Sequence, residues 1–444
     1  MRTMCLTFTV VVACSSTLEA AKRPAVAPPP SLAKNGAAAV VARKPDSPGP
    51  AQLPKSPAAV FAERDVARLK ALAGKDKKLA PKLAKAEARL KRLLSDTSRG
   101  KAEPKNMTLL ETFKHNRPVI SCRFDTTGDF IFAGAMDKDL HRWNILSGKR
   151  VEFSGHASWI RRMDVRGSAQ PLVVTGSYAG RLIWWNADDP SAKPLRSVDA
   201  HRGYVRGVAI SPDGKLVASG GNDNMVRVWS ADDGRLIKEL PGHTRHVYNV
   251  KFDPSGRFLV SGDLMGVLKQ WEVGSWKHVR DLDAKVLSKY DKTFRADCGG
   301  IRGMDFSPNG RYLVVCGIGS VTNAFAGVGK PTAVLFDFAT GKRLKVMLPA
   351  KNYKGTCWNV KWHPSGAWFV GVGGGGGMAW FWKPDSAKSF HAVKLPGCGY
   401  DVSFHPDGLR MAVATYNRVV AVYDLGPKGA AKPRAAKKRK RRRK

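Results

Sequence analysis

One pattern returns seven times along this chain. An apolar run is followed by a tight turn, a second apolar run, a Gly/Asn/Asp turn and a third run ending in an aromatic residue. The clearest copy is VRGVAISPDGKLVASGGNDNMVRVW, residues 205–229. It recurs as HVYNVKFDPSGRFLVSGDLMGVLKQW, GIRGMDFSPNGRYLVVCG, CWNVKWHPSGAWFVGV and GYDVSFHPDGLRMAVATYNRVVAVYDL. Two earlier copies read VISCRFDTTGDFIFAGAMDKDLHRW and WIRRMDVRGSAQPLVVTGSYAGRLIWW. A period of about 40–50 residues signals a repeat architecture in which each unit buries its faces against its neighbours. In Ser211-Pro212-Asp213-Gly214 the Pro presets the first turn angle and the Gly takes the left-handed one. A weaker fourth run, such as GRLIKELPGH, precedes the next copy. Four short strands per unit, seven times, predict an all-β chain folded as a seven-bladed β-propeller. The last copy stops at Tyr423-Asp424-Leu425 without a fourth strand. MTLLETFKHNRPV, ahead of the first copy, is expected to complete that last blade from the N-terminal side and so close the ring.

Outside residues 107–426 the composition changes. Residues 1–20 place one Arg before a short apolar run, Leu6 to Ala13, with small residues after it. This is the shape of a minimal export signal, far too short to span a bilayer. Val11-Val12-Ala13-Cys14 is similar to a bacterial lipoprotein signal, which would lipidate Cys14. Residues 21–57 are rich in Ala, Pro and Lys and contain no aromatic, so they read as a linker. Residues 58–98 carry Val66, Leu69, Leu72, Leu83, Ala86, Leu90 and Leu93 at helical spacing, interrupted at Gly74 and Pro81. They predict two basic helices, read here as a solvated spacer in preference to an anion- or partner-binding hairpin, and truncation at about residue 106 is expected to leave the ring intact. Residues 427–444 form a polybasic tail, expected to be disordered. It ends in Lys437, Lys438, Arg439, Lys440, Arg441, Arg442, Arg443 and Lys444, an anion-binding candidate. The formal net charge is +39, a field that draws acidic proteins, nucleic acid or an anionic lipid surface.

The copies resemble WD repeats, a family marked by Gly-His before the first strand and Trp-Asp at the end of the third. Trp143-Asn144, Trp185-Asn186, Trp229-Ser230, Trp271-Glu272, Phe336-Asp337, Trp382-Lys383 and Tyr423-Asp424 stand at the signature dipeptide, so the set is divergent. The resemblance implies that His201, Ser219, Asp223 and Trp229 form a hydrogen-bond chain within their blade and not a hydrolase triad. Ser219 lies mid-strand in an apolar run, whereas a triad serine needs a cleft with an oxyanion hole beside it. His243, Ser261 and Trp271 recur at the same offsets with Met265 in the Asp place. His156, Thr175 and Trp185 recur with Ala179 there, and His115, Asp137 and Trp143 recur with Ala133 in the Ser place. Copies five to seven lack the His, and their blades are expected to be held by packing alone.

The resemblance also puts the inter-blade connections and the turns between second and third strands on one rim. Trp159, Tyr204 and His246 open first strands there, with Arg161, Arg206 and Arg302 two positions deeper. The fifth copy adds AKVLSKYDKTFRADCGG and GIGSVTNAFAGVGKPTA, where Lys289, Tyr290, Lys292, Phe294 and Arg295 offer aromatic anchors among positive charges. Together these eleven residues are the candidate partner-binding set. The run Gly373–Gly377 has no Lys-Ser/Thr after it and is no phosphate loop. His243 and His246 are close, but no acid or Cys cluster accompanies them, so neither a metal nor a cofactor is expected. No base is paired with a nucleophile. The sequence therefore points to a non-enzymatic, monomeric interaction scaffold for a protein partner of acidic character, exported or attached to the cell envelope. The alternative is a nucleic-acid or anionic-surface binder driven by the tail, with a nuclear or cytoplasmic location.

Overall fold

A computed structural model describes residues 57–95, 101–167, 171–189, 191–293, 295–323 and 327–427. The export, linker and tail expectations lie outside these residues. Seven four-stranded antiparallel sheets are arranged as blades. The first strands of neighbouring blades touch all the way round, and the blade built on Gly399–Phe404 meets the blade built on Val119–Phe124, so the ring is closed. Blades 1 to 6 are sequential. In blade 7 the outermost strand is Thr108–Lys114, paired antiparallel with Val419–Asp424 from Thr108 opposite Asp424 to Lys114 opposite Val419. The N-terminal strand thus closes the ring as the sequence predicts, and the missing edge partner of blade 7 is supplied from the other end of the chain.

Burial explains the strand composition. Second and third strands are covered on both faces by adjacent blades, so Leu172–Ser177 and Arg410–Thr415 are buried throughout. Fourth strands form the outer wall and alternate toward solvent, as in Leu236–Leu240. Apolar clusters sit between blades: Phe132 and Phe153 of blade 1 pack with Met163 and Trp185 of blade 2. The turn at Ser211–Gly214 closes with a 2.8 Å bond from the Gly214 N–H to the Ser211 carbonyl. Gly214 sits at φ +75°, where a Cβ would strike Arg166.

The N-terminal helices differ from the expected solvated spacer. Helix α1 (Pro57–Ala73) ends at Gly74, and α2 (Ala80–Ser95) carries Pro81 in its first turn, where a missing N–H is harmless. Ala59, Ala62 and Leu93 are buried in one cluster with Trp368 of blade 6 and Leu409, Met411 and Tyr423 of blade 7. Five charged side chains lock this contact. Arg410 Nη1 pairs with Asp65 at 2.9 Å and its Nε with Asp407 at 2.8 Å. Arg89 bonds Asp407 at 2.8 Å and approaches Asp424 at 3.7 Å. Arg64 reaches the neighbouring blade, donating to the Thr127 carbonyl at 2.8 Å and pairing with Asp129 at 2.9 Å. The periodicity that marks these residues as helical does not reveal their partner, because the complementary acids lie more than half the chain away. For blades 6 and 7 the structure corrects the expectation that blades 5 to 7 rest on packing alone. His405 of blade 7 also donates from Nε2 to the Gly128 carbonyl of blade 1, and His363 of blade 6 bonds the Gly408 carbonyl of blade 7.

Candidate interaction face at the channel mouth

Within the blades, the polar residues singled out in the sequence come together inside the structure. His201 Nδ1 bonds Asp223 at 2.8 Å, His201 Nε2 bonds the Ser219 hydroxyl at 2.8 Å, and the Trp229 indole N–H donates to the same oxygen at 2.9 Å. Ser219 is completely buried. An oxygen held by two partners and closed from solvent offers a substrate no approach. Blade 4 corrects the assignment of a missing acid: Asp263, two residues before Met265, takes His243 Nδ1 at 2.9 Å, while Ser261 holds His243 Nε2 and the Trp271 N–H. In blade 2, Thr175 joins His156 and Trp185, and His156 Nδ1 is left without a partner. Burial pushes that imidazole down to about 3.

Blade 1 uses a residue the sequence reading missed. His141 and His115 both reach Asp137 through Nε2 at 2.9 Å, and Trp143 packs against the two imidazoles. Burial opposes ionisation of Asp137, but these two bonds hold its carboxyl well below the usual range. The three potential ligand atoms of His115, Asp137 and His141 lie within 4.8 Å of one another, the one such convergence among the described residues. Asp137 is already engaged by both imidazoles.

The first strands build the channel in layers. Each of six blades skips one residue at the start of its first strand: Ile120, Arg161, Arg206, Tyr248, Trp358 and Tyr400. In blade 5, Arg302 holds the same place directly before Gly303. Such a bulge turns a side chain out of the pleat, here toward the mouth. Arg206 lies 4.4 Å over Tyr248, Arg302 lies 4.5 Å over the same ring and 5.2 Å over Trp358, and Trp358 packs against Tyr400 at 5.1 Å. Tyr400 continues to Tyr416. On the other side Arg206 meets Tyr204, which stacks on Tyr178 at 4.2 Å, and Tyr178 meets the exposed Trp159. An unbroken arc of aromatic and guanidinium groups therefore runs from blade 2 to blade 7.

Deeper in the channel, charges are balanced in pairs. Arg123 pairs with Asp401 at 2.9 Å and Lys361 with Asp305 at 3.0 Å. These carboxylates also accept backbone N–H groups of the next blade, from Cys122 and Trp362.

Of the sequence-derived partner set, Trp159, Tyr204, Arg161, Arg206 and Arg302 meet at this mouth. His246 lies just ahead of the bulge residue Tyr248 and is half-buried, and burial, aided by Arg206, lowers its affinity for a proton. Lys289 and Tyr290 belong to a separate hairpin, Ser288–Asp291 with Ala296–Gly299, which leans on the elongated blade-5 strands through Lys289 Nζ and the Val321 carbonyl at 2.9 Å. Tyr290 is 52% exposed there, with Lys292 and Arg295 on the connecting turn. Phe294 falls outside the described residues. Tyr248, Trp358 and Tyr400 were missed, although they stand at one register with Arg161, Arg206 and Arg302, each following the first residue of its copy's first strand.

Comparison with known proteins finds the same kind of repeat as the blades. The family model described as WD domain, G-beta repeat matches residues 107–144, 192–230, 234–272 and 288–320. The small ribosomal subunit protein RACK1y of Oryza sativa subsp. japonica is 34% identical over 98 residues, 21% of this chain and 28% of that protein. RACK1 of Caenorhabditis elegans is 32% identical over 88 residues, 20% of this chain and 26% of that protein. The ribosome biogenesis protein WDR12 homolog of Drosophila erecta is 29% identical over 110 residues, 24% and 26% of the two chains. The match thus spans about a quarter of the length of each of these three relatives.

Proposed function

Since the chain is a divergent seven-bladed β-propeller of the WD-repeat family, we propose that it works as a non-enzymatic interaction scaffold whose channel-mouth face receives a protein partner. The observation that carries this reading is the arc from Trp159 through Tyr204, Arg206, Tyr248, Arg302 and Trp358 to Tyr400. Rigid aromatics and arginines are the residue types that dominate interface energetics. Tyr290, Lys289, Lys292 and Arg295 extend the basic surface from the blade-5 hairpin. The relatives' names refer to the ribosomal subunit and to ribosome biogenesis, which supports a partner in ribosome-linked assembly and favours a nuclear or cytoplasmic location over export. The test is affinity capture from lysate with the full chain, compared with W159A/Y204A and with Leu236→Ala on the outer wall. Loss of the same partner in the first variant and its retention in the second is the expected result. Equal capture by all three rejects the reading.

A second reading rests on the net charge of +39 and the block Lys437–Lys444: polyanion binding by the tail. It calls for binding to heparin that weakens steeply with salt and disappears when the chain is ended at Leu425.

A further inference from the structure

The inner channel pairs its charges, but the mouth does not. Arg161, Arg162, Arg206 and Arg302 form no ion pair among the described residues, whereas Arg123 and Lys361, deeper along their own first strands, each hold a carboxylate. Arg161 and Arg162 are 8% and 4% exposed, and the Nε atoms of Arg162 and Arg302 are buried without a hydrogen-bond partner. Arg162 of blade 2 crosses the channel and donates to the Arg302 carbonyl of blade 5, so its guanidinium floors the mouth. Arg161 is held from below by the Ile120 carbonyl at 3.2 Å, and Arg206 by the Asn222 side chain. Burial pushes Arg162 down to about 9, with Arg161 and Arg123 adding to the effect and Asp401 opposing it, and burial together with Arg206 and Arg161 lowers Arg302. Asp401, already paired with Arg123, is the carboxylate that acts on this group, through Arg162, and none of the described residues places a carboxylate within ion-pair distance of the four guanidiniums. They therefore repel one another, and a bound anion removes that repulsion.

We infer that the mouth is a recognition site for one compact anionic group, a carboxylate or a phosphoryl group carried on a polypeptide side chain of the partner, seated over Arg162 and clasped by Arg206 and Arg302. This rests on the scaffold reading above and supplies its partner chemistry. Stacked nucleobases fit poorly. Tyr248 is 7% exposed with a guanidinium over it from each of two blades, Trp358 is flanked by Arg302 and Tyr400, and Tyr204 is stacked on Tyr178. Around Arg162 the ring faces that would receive bases are taken, and the guanidinium N–H edges are what the mouth offers there.

The test measures binding of fluorescein-labelled decapeptides, identical except for phosphoserine, glutamate or glutamine at the centre, to the full chain, to R206Q/R302Q, to R206K/R302K and to Arg245→Gln. Arg245 is paired with Asp297 outside the mouth, and every variant keeps the tail. The wild type and Arg245→Gln are expected to bind at least one charged peptide at least tenfold more tightly than the glutamine peptide. R206Q/R302Q should lose that preference, and R206K/R302K should retain part of it while melting like the wild type. Inorganic phosphate should compete. A tenfold preference for phosphoserine over glutamate identifies a phosphoryl group as the ligand, and equal affinity identifies negative charge alone. Unchanged preference in R206Q/R302Q, equal binding of the glutamine peptide, or tighter binding of a single-stranded oligonucleotide that depends on Arg206 and Arg302 overturns the proposal. If R206Q/R302Q still captures the partner that W159A/Y204A loses, the mouth site falls and the scaffold reading stands. If neither variant loses it, both fall.

Discussion

Arg162 of blade 2 donates a hydrogen bond to the carbonyl oxygen of Arg302 in blade 5, joining two blades that are not neighbours across the axis of the ring. Asn249 of blade 4 donates to the same oxygen at 3.3 Å. The oxygen therefore has a second donor, and the buried guanidinium has no carboxylate within ion-pair distance among the described residues, Asp401 acting on it from further off. Replacing Arg162 with Met should change stability by less than about 1 kcal/mol, because a buried unpaired charge is removed with the bond. Arg123→Met should cost about 3 kcal/mol, since it strips Asp401 of its partner at 2.9 Å. Urea unfolding of the two variants checks the contrast, and equal losses would contradict it.

The helical hairpin should behave as part of the ring. Asp65→Ala leaves Arg410 without one of its two carboxylates, and Arg89→Ala removes a bond to Asp407. Each should lower stability by about 3 kcal/mol, as expected when one member of a buried ionic network is deleted. A chain starting at residue 107 should melt well below one starting at residue 57. Coincident melts would restore the spacer reading.

Within blade 4, Asp263 and not Met265 is the member that matters. Asp263→Ala should cost about 1–3 kcal/mol, leaving His243 Nδ1 and two turn N–H groups unpaired, while Met265→Ala should stay within about 0.5 kcal/mol. In blade 2, Ala179→Asp should supply the carboxylate that His156 lacks and raise the melting temperature. A drop in both Met265→Ala and Asp263→Ala would refute the assignment.

Acid should loosen the ring before it protonates ordinary carboxylates. Burial lowers the affinity of His156, His201, His363 and His405 for protons, to about 3 for His156. An unfolded histidine takes a proton near pH 6.5. Between that pH and the folded value the unfolded chain binds more protons, so stability is complete above about pH 6.5 and falls as pH decreases. The His156 contribution falls by about 1.4 kcal/mol per pH unit in this window. His115 is shifted the other way, opposed by burial but raised by Asp137, and offsets part of the loss. His156→Gln should flatten the pH dependence of the melting temperature between pH 6.5 and 4.

The ring was legible because its grammar is local: turn residues, apolar runs and the terminal aromatic repeat at fixed offsets, and the unfinished seventh copy shows where the closing strand must go. The polar chains around Ser219 and Ser261 were legible at the same offsets. Asp263 and His141 were not, since each reaches its partner from a different strand position than the repeat template provides. The mouth was half legible. Its arginines stand out by charge, but Tyr248, Trp358 and Tyr400 look like ordinary strand aromatics until the bulge shows that they leave the pleat. The docking of the helices was invisible, because Asp65, Arg89, Asp407 and Arg410 are unremarkable singly and meaningful only as a set.

The pairing of Thr108–Lys114 with Val419–Asp424 joins the two ends of the propeller within one sheet. Six blades can form as the chain emerges, but the seventh must wait for the C-terminal strand while its partner strand stays available from the start. Closure joins strands from opposite ends of the propeller and so carries a large loop-entropy cost. For the same reason it is the natural place for the ring to unzip. The Asp65–Arg410 and Arg89–Asp407 pairs sit across that seam, so tightening them should slow the escape rate from the native state more than it speeds folding. Persistence of the folded ring in the cell is then governed by a latch whose two halves lie at opposite ends of the propeller's own sequence.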